Sequence, residues 1–534
     1  MPAVKPTLAV INARIWTGNP RQPWADGLVA TDDRFTLVGS SAEVRKAVPR
    51  DANIIDAQGM FVAPGFIDAH VHFLDGGLAL ASVQLGDVTT REAFVQRIAD
   101  HTSRVAAGAW ITHGHWDHEH WGGELPSRDW IDAVTPRHPV WVDRHDIHMA
   151  LANSAALRLA GVSRDTPDPP GGTIVRDVRG EPTGILKDNA QQLVARVVPP
   201  PSAAQEDAAL DAAMRYVAAN GVTSVHNMGL SWADLPAFER AQASGRLRTR
   251  IYAAVPLADW ERLRDRVATQ GRGDAWLRVS ALKGFVDGSL GSHTAAMLAP
   301  FTDAPNDTGL LVNDPDDLYR WTSAADKAGL HVIVHAIGDR AVRLQLDVFE
   351  HVARENGARD RRFRIEHAQH VSPADLPRFA QNDVIASMQP YHAIDDGQWA
   401  ERVIGAERAQ TTYPVRSLLD SGARIAFGSD WPVAPATPLE GIYAAVTRRT
   451  LDGAHPDGWI PEQRIGVEEA LRAYTRNAAF ASFDESEKGT IERGKLADFV
   501  MIDGDVTRLP PEEVRSARVT MTVVGGRAVF AADD

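Results

Sequence analysis

The 534-residue chain is 44% hydrophobic and 24% charged, the balance of a folded globular protein with a sizeable core. Its net charge of −14 argues against a phosphate-binding groove, and so against nucleic acid as a partner. No apolar run is long enough to span a bilayer, and the absence of cysteine removes disulfides, thiolate zinc sites and cysteine nucleophiles together.

The chain starts without an apolar stretch leading to a small-residue cleavage site, so no signal peptide and a cytoplasmic location are expected. Residues 1–60 ("LAVINARIWTG", "FTLVGS", "NIIDAQGMFVAPG") read as short strands with turns, as do residues 488–534. The two ends are expected to meet as one composite β-domain, with residues 61–487 between them. The first strong element there is "FIDAHVHF", a buried strand over 66–72 that ends in His70 and His72. Side chains two apart on a strand share a face, so these imidazoles stand side by side, either as metal ligands or as two ordinary histidines. About 150 residues separate this strand from the next. A structureless loop of that length is implausible, so 74–200 is expected to be an inserted subdomain. It carries five of the fourteen tryptophans and eight of the nineteen histidines. Its segment "WITHGHWDHEHW" crowds four histidines together, which invites a metal reading. The barrel predicted from the strands that follow already supplies a complete site, however, and Trp116, His115 and His118 are expected instead to line the mouth of a pocket.

Beyond the insertion one pattern recurs. "AMRYVAANGVTSVHNMG", "WTSAADKAGLHVIVHAIGD" and "VRSLLDSGARIAFGSDWP" each run from a helix through a glycine into a β-branched strand that ends in a polar residue. Glycine just past a helix is the usual left-handed cap, and a short continuous apolar strand is one buried on both faces of a parallel sheet. Strands of this type fall at 66–72, 222–228, 249–255, 278–285, 331–337, 363–368, 384–389 and 424–430. Eight parallel strands alternating with helices predict an α/β fold, a (β/α)8 TIM-type barrel with its site at the C-terminal strand ends. His70, His72, His226, Lys283, His335, His367 and Asp430 all sit there.

The segments "FIDAHVH", "LKGFVDGSLGS", "HVIVHAIGD", "RIEHAQ" and "FGSDWPV" together resemble the signatures of the amidohydrolase superfamily. The resemblance is to its family 3 or YtcJ-like branch, which includes N-substituted formamide deformylases, and it covers essentially the whole chain. It implies a metal-dependent amidohydrolase with two Zn2+ ions. His70, His72 and Asp430 would hold one, His335 and His367 the other, and a carboxylated Lys283 would bridge them. A metal-bridging hydroxide would attack a non-peptide C–N bond of amide or formamide type, with Asp430 as catalytic proton shuttle. Arg144 and His148 match positions that face the substrate, and His226 is a further candidate for contact. Glu366 and Gln369 flank His367 and are expected to orient it. The tryptophans of the insertion, with Tyr391, Trp399 and Trp431, point to a small apolar or aromatic substrate. A homodimer is the family's expectation. Deamination, ester or lactone hydrolysis, an isomerase or lyase step, and a catalytically silent ligand-binding role are the alternatives on the same frame.

Overall fold

A computed structural model describes residues 7–50 and 52–532. At its centre eight strands follow one another in chain order. They are β1 (Phe66–Val71), β2 (Val222–Met228), β3 (Arg250–Pro256), β4 (Leu277–Phe285), β5 (His331–Ala336), β6 (Arg364–His367), β7 (Ile385–Met388) and β8 (Arg424–Phe427). Every neighbouring pair is parallel. The sequence dictates this locally: β5 reads His-Val-Ile-Val-His-Ala with all six residues buried, the continuous run of a strand covered on both faces. The helix before β2, Ala203–Ala219, is closed at its start by the reciprocal Ser202–Gln205 capping box. The chain leaves it through Gly221 at φ +81°, a left-handed turn that glycine adopts without steric cost.

No regular ladder joins β8 to β1. The seam is closed by residues just past the strand ends. The Asp430 N–H donates to the His70 carbonyl at 2.7 Å, and the His72 N–H to the Trp431 carbonyl at 2.7 Å. Below them Asp68 accepts from the Ser429 backbone at 2.8 Å and its hydroxyl at 2.6 Å. The fold is therefore the (β/α)8 barrel expected, with strands in the eight segments named from sequence.

Phe61–Pro64 pairs antiparallel with Phe499–Ile502 in a six-stranded sheet, so segments from both halves of the chain share one layer. A four-stranded sheet that includes Thr7–Ile11 packs on it around Val10, Ile15, Phe35, Val62, Phe499 and Val523. The buried Arg250–Asp498 pair, bonded at 2.7 and 2.9 Å, ties this layer to the barrel. Between β1 and β2 lies a separate five-stranded sheet. Its order is Gly172–Arg176, Pro182–Asp188, Met149–Ala152, Val140–Asp143 and Ile111–Thr112. It has its own core of Phe94, Trp130, Val142, Leu151 and Ile185.

Candidate metal centre

The barrel delivers six polar side chains to one point at its C-terminal end. His70 is the penultimate residue of β1, and His72 follows the strand. Their Nε2 atoms lie 3.2 and 3.3 Å from Asp430 Oδ1. His367 Nδ1 lies 4.0 Å from Asp430 Oδ2. The His335 ring centroid is 4.6 Å from that of His367, and the His70 centroid 5.0 Å. Lys283 reaches in from β4, its Nζ 3.5 Å from His70 Nε2. All six are buried.

Backbone geometry aims two of them. Arg364 and Glu366 alternate inward along β6, so regular pleating would turn His367 outward. Instead His367 has φ +71° and Asp430 has φ +65°. A non-glycine residue held there costs on the order of 1–3 kcal/mol, and the result is that both side chains enter the centre.

Burial and neighbouring charge set the protonation. Burial holds the imidazoles of His335 and His367 well below the usual histidine range, which favours the neutral form a metal ligand needs. Burial opposes ionisation of Asp430, but the surrounding His70, His72 and His367 outweigh it and keep the carboxyl well below its ordinary value. Burial pulls Lys283 down to about 8, against the pull of Glu366 and Asp430. The His335 Nε2–H donates to the Gly288 carbonyl at 3.0 Å, which leaves its Nδ1 lone pair free.

His70, His367 and Asp430 each offer a ligand atom within 4.8 Å of the others. His367 Nδ1 and Asp430 Oδ1 are buried without a hydrogen bond. Unmet acceptors facing one another in a buried site are costly, and a divalent cation removes that cost. Imidazole nitrogen and carboxylate oxygen are the donors zinc and its neighbours accept, so the residues present fit a metal.

Glu366 supports the centre from β6, though not in the expected way. Its Oε2 accepts from His70 Nδ1 at 2.5 Å, and its other oxygen pairs with Arg364. Burial pushes the carboxyl up, but Arg364 and His70 outweigh this and hold it down at about 2. It orients His70, not His367. Gln369 instead donates to Asp396 at 2.8 Å.

Above the centre a pocket opens between the barrel and the insertion. Arg144 and His148 line it, as expected. The Arg144 guanidinium donates to Asp117 and Asp146, each at 2.7 Å. Gly291 is necessary for this placement: a Cβ there would lie 2.5 Å from the guanidinium nitrogens. His148 Nδ1 is 2.7 Å from Asp188. Burial disfavours its imidazolium, but Asp188 and Asp146 outweigh burial and raise its pKa above the ordinary value.

Other expected contacts lie elsewhere. Trp116 is fully buried in the insertion, its Nε1 donating to the Val142 carbonyl at 2.9 Å, and it does not reach the mouth. His118 accepts from Arg144 at 3.2 Å and lies behind it. His115 faces Asp143. His226 is enclosed inside the barrel, accepting from Arg364 at 2.9 Å. Trp431 stacks on Tyr216 at 5.0 Å, and Trp399 alone of the three later aromatics lines the pocket. The wall is instead largely polar, and His145, Asp146, His392, Asp395 and Asp396 were not anticipated. The segment "DRHDIH" carried the signal: Arg144, Asp146 and His148 alternate beyond the strand Val140–Asp143.

A parallel barrel with a buried histidine–carboxylate centre at the C-terminal ends of its strands defines a metal-dependent hydrolase. The chain belongs to the amidohydrolase family, whose sequence profile matches residues 53–530. It is 42% identical to Protein LONG AFTER FAR-RED 3 of Arabidopsis thaliana, over 98% of this chain and 91% of that one. It is 30% identical to N-substituted formamide deformylase of Arthrobacter pascens, over 97% of each chain. Among solved structures, an uncharacterized metal-dependent hydrolase from Pyrococcus horikoshii OT3 is similar at a TM-score of 0.77 and 29% identity, over 95% of this chain and 99% of that one. Its counterpart from Pyrococcus furiosus matches at 0.74 and 30%, over 95% and 100%.

Proposed function

We propose that the protein hydrolyses a non-peptide carbon–nitrogen bond, of amide or formamide type, in a small substrate. The observation that carries this is the group of buried imidazoles around Asp430, with unmet acceptors at the floor of a pocket. The similarity to N-substituted formamide deformylase favours the amide bond. Two zinc ions are the reading: His70, His72 and Asp430 would hold one, and His335 and His367 the other. When bound, such ions polarise a carbonyl and lower the pKa of water to about 7.

Lys283 would be shared between the ions as a carbamate. Its buried position favours the neutral amine, whose nitrogen adds to carbon dioxide with loss of one proton. Asp430 would take the proton released when water attacks and pass it to the departing amine. His148, whose protonated form Asp188 favours, would donate to the substrate oxygen. The polar wall formed by Arg144, Asp146 and Asp396 would bind a polar substituent, while Trp399 offers one apolar face.

A one-ion deaminase is the competing reading, because His70, His367 and Asp430 form a compact set by themselves. Metal analysis joined to a screen of N-formyl, N-acyl, ester and aminated substrates tests both. Two ions at the barrel centre and release of formate or another carboxylate are expected. One ion with ammonia release, or full activity after verified chelation, would overturn the proposal.

A further inference from the structure

A second group of metal-ligating side chains lies outside the barrel. His113 and His115 sit on the turn that leaves the edge strand Ile111–Thr112, and Asp143 ends the adjoining parallel strand. One ligand atom from each lies within 4.8 Å of the others. His115 Nδ1 stands 3.6 Å from Asp143 Oδ2, too far for a hydrogen bond. Both ring nitrogens of His115 are buried, and neither has a partner. An unmet buried polar group costs about 1–3 kcal/mol, so this arrangement is unfavourable as it stands. A cation beside the carboxylate, which already accepts from the His115 backbone N–H at 3.4 Å, would give the imidazole the partner it lacks.

The donor set favours a particular ion. Two imidazoles and one carboxylate, with a fourth position open to water, is a set that tetrahedral zinc uses. At bonds of about 2.0–2.1 Å, tetrahedral ligand atoms stand roughly 3.3 Å apart. No separation need therefore close by more than about 1.5 Å, within the reach of modest side-chain torsions. Thiolates cannot compete for the ion, since the chain has no cysteine.

We propose that His113, His115 and Asp143 form a further cation site on the insertion, separate from the barrel centre, that takes Zn2+ or another divalent ion preferring imidazole. The three consecutive residues His113, Gly114 and His115 all have positive φ, at 59°, 123° and 54°. An ion there fastens this turn to Asp143, the residue immediately before Arg144. It thereby braces the segment that carries Arg144, His145 and Asp146 to the pocket. The role is positional: none of the three ligands lines the pocket.

The test reads metal directly and does not depend on the proposed reaction. The full chain, His115→Ala and His113→Gln are stripped of metal and titrated with Zn2+ against a chromophoric chelator. Crystals of the full chain are examined by anomalous diffraction at the zinc edge. Each variant should bind one zinc fewer than the wild type while keeping the barrel ions, and a peak should lie between the three side chains. Should His115→Ala fail to fold, His113→Gln at its half-buried position carries the comparison. Equal zinc counts and affinities in wild type and His113→Gln, or anomalous peaks in the barrel alone, would overturn the site. So would an extra zinc that binds only at millimolar concentration.

Discussion

Glu366→Gln separates a supporting carboxylate from an inert neighbour. Both oxygens of Glu366 are engaged: one accepts from His70 Nδ1 at 2.5 Å, the other faces Arg364, and the residue is 0% exposed. An amide has one acceptor and one donor. If its oxygen serves His70, its NH2 is set against the guanidinium, and if it serves Arg364, His70 loses the acceptor that keeps the proton on Nδ1 and the lone pair on Nε2. Loss of such a supporting partner typically costs 10–100-fold in metal affinity, which is about 1.4–2.8 kcal/mol. In the other arrangement zinc affinity holds, and leaving Arg364 buried without its charged partner costs about 3–5 kcal/mol of stability. Zinc competition titration and denaturant unfolding of the metal-free protein measure the two effects separately. Gln369→Ala is the control. It lies two positions beyond His367 but bonds to Asp396, so zinc affinity should hold. Wild-type zinc affinity together with wild-type stability in Glu366→Gln would refute the supporting role, because the amide oxygen can serve only one of the two partners.

Three further outcomes are expected. Gly291→Ala places a methyl group 2.5 Å from a guanidinium pinned by Asp117 and Asp146. It should lower kcat/KM on the order of 10²-fold with metal content intact, and unchanged kinetics would show that Arg144 does not meet the substrate. Trp116→Ala empties a fully buried indole site and should cost about 3–5 kcal/mol in urea unfolding without altering substrate preference. A changed preference at unchanged stability would return Trp116 to the pocket. His331 is buried between Tyr252 and the Arg362 carbonyl, and burial, reinforced by Arg364, pushes its pKa down to about 3. The unfolded chain takes up this proton near pH 6.5, so the contribution is complete above that pH and is lost as pH falls towards 3, by about 2 kcal/mol between pH 6.5 and 5. His331→Gln should therefore flatten the decline of stability over that interval, and identical slopes would contradict a neutral buried imidazole.

The barrel was legible because each strand is a continuous apolar run with a polar terminus, a pattern carried by consecutive residues. His70, His72, Lys283, His335, His367 and Asp430 were legible for the same reason, and the fold brings all six together. The pocket wall was not. Arg144 reaches it only because Asp117, twenty-seven positions away, and Gly291 admit and hold the guanidinium. Glu366 was assigned to the wrong histidine because adjacency along the chain suggested His367. The positive φ at His367 breaks the alternation of β6, and the partner of Glu366 comes from β1, 296 positions earlier. The tryptophans misled because an aromatic cluster in a small inserted sheet is first of all that sheet's own core.

The barrel's seam also fixes when the molecule becomes competent. Asp68 and Ser429 clasp across 361 positions, and the same junction sets Asp430 against His70 and His72. During synthesis the paired histidines of β1 leave the ribosome early, and their carboxylate arrives after more than three hundred further residues. Until then no partial barrel holds a complete centre. The last closure of the cylinder and the assembly of these side chains are therefore one event, and on the function proposed above an arrested chain lacking that junction should show no hydrolysis.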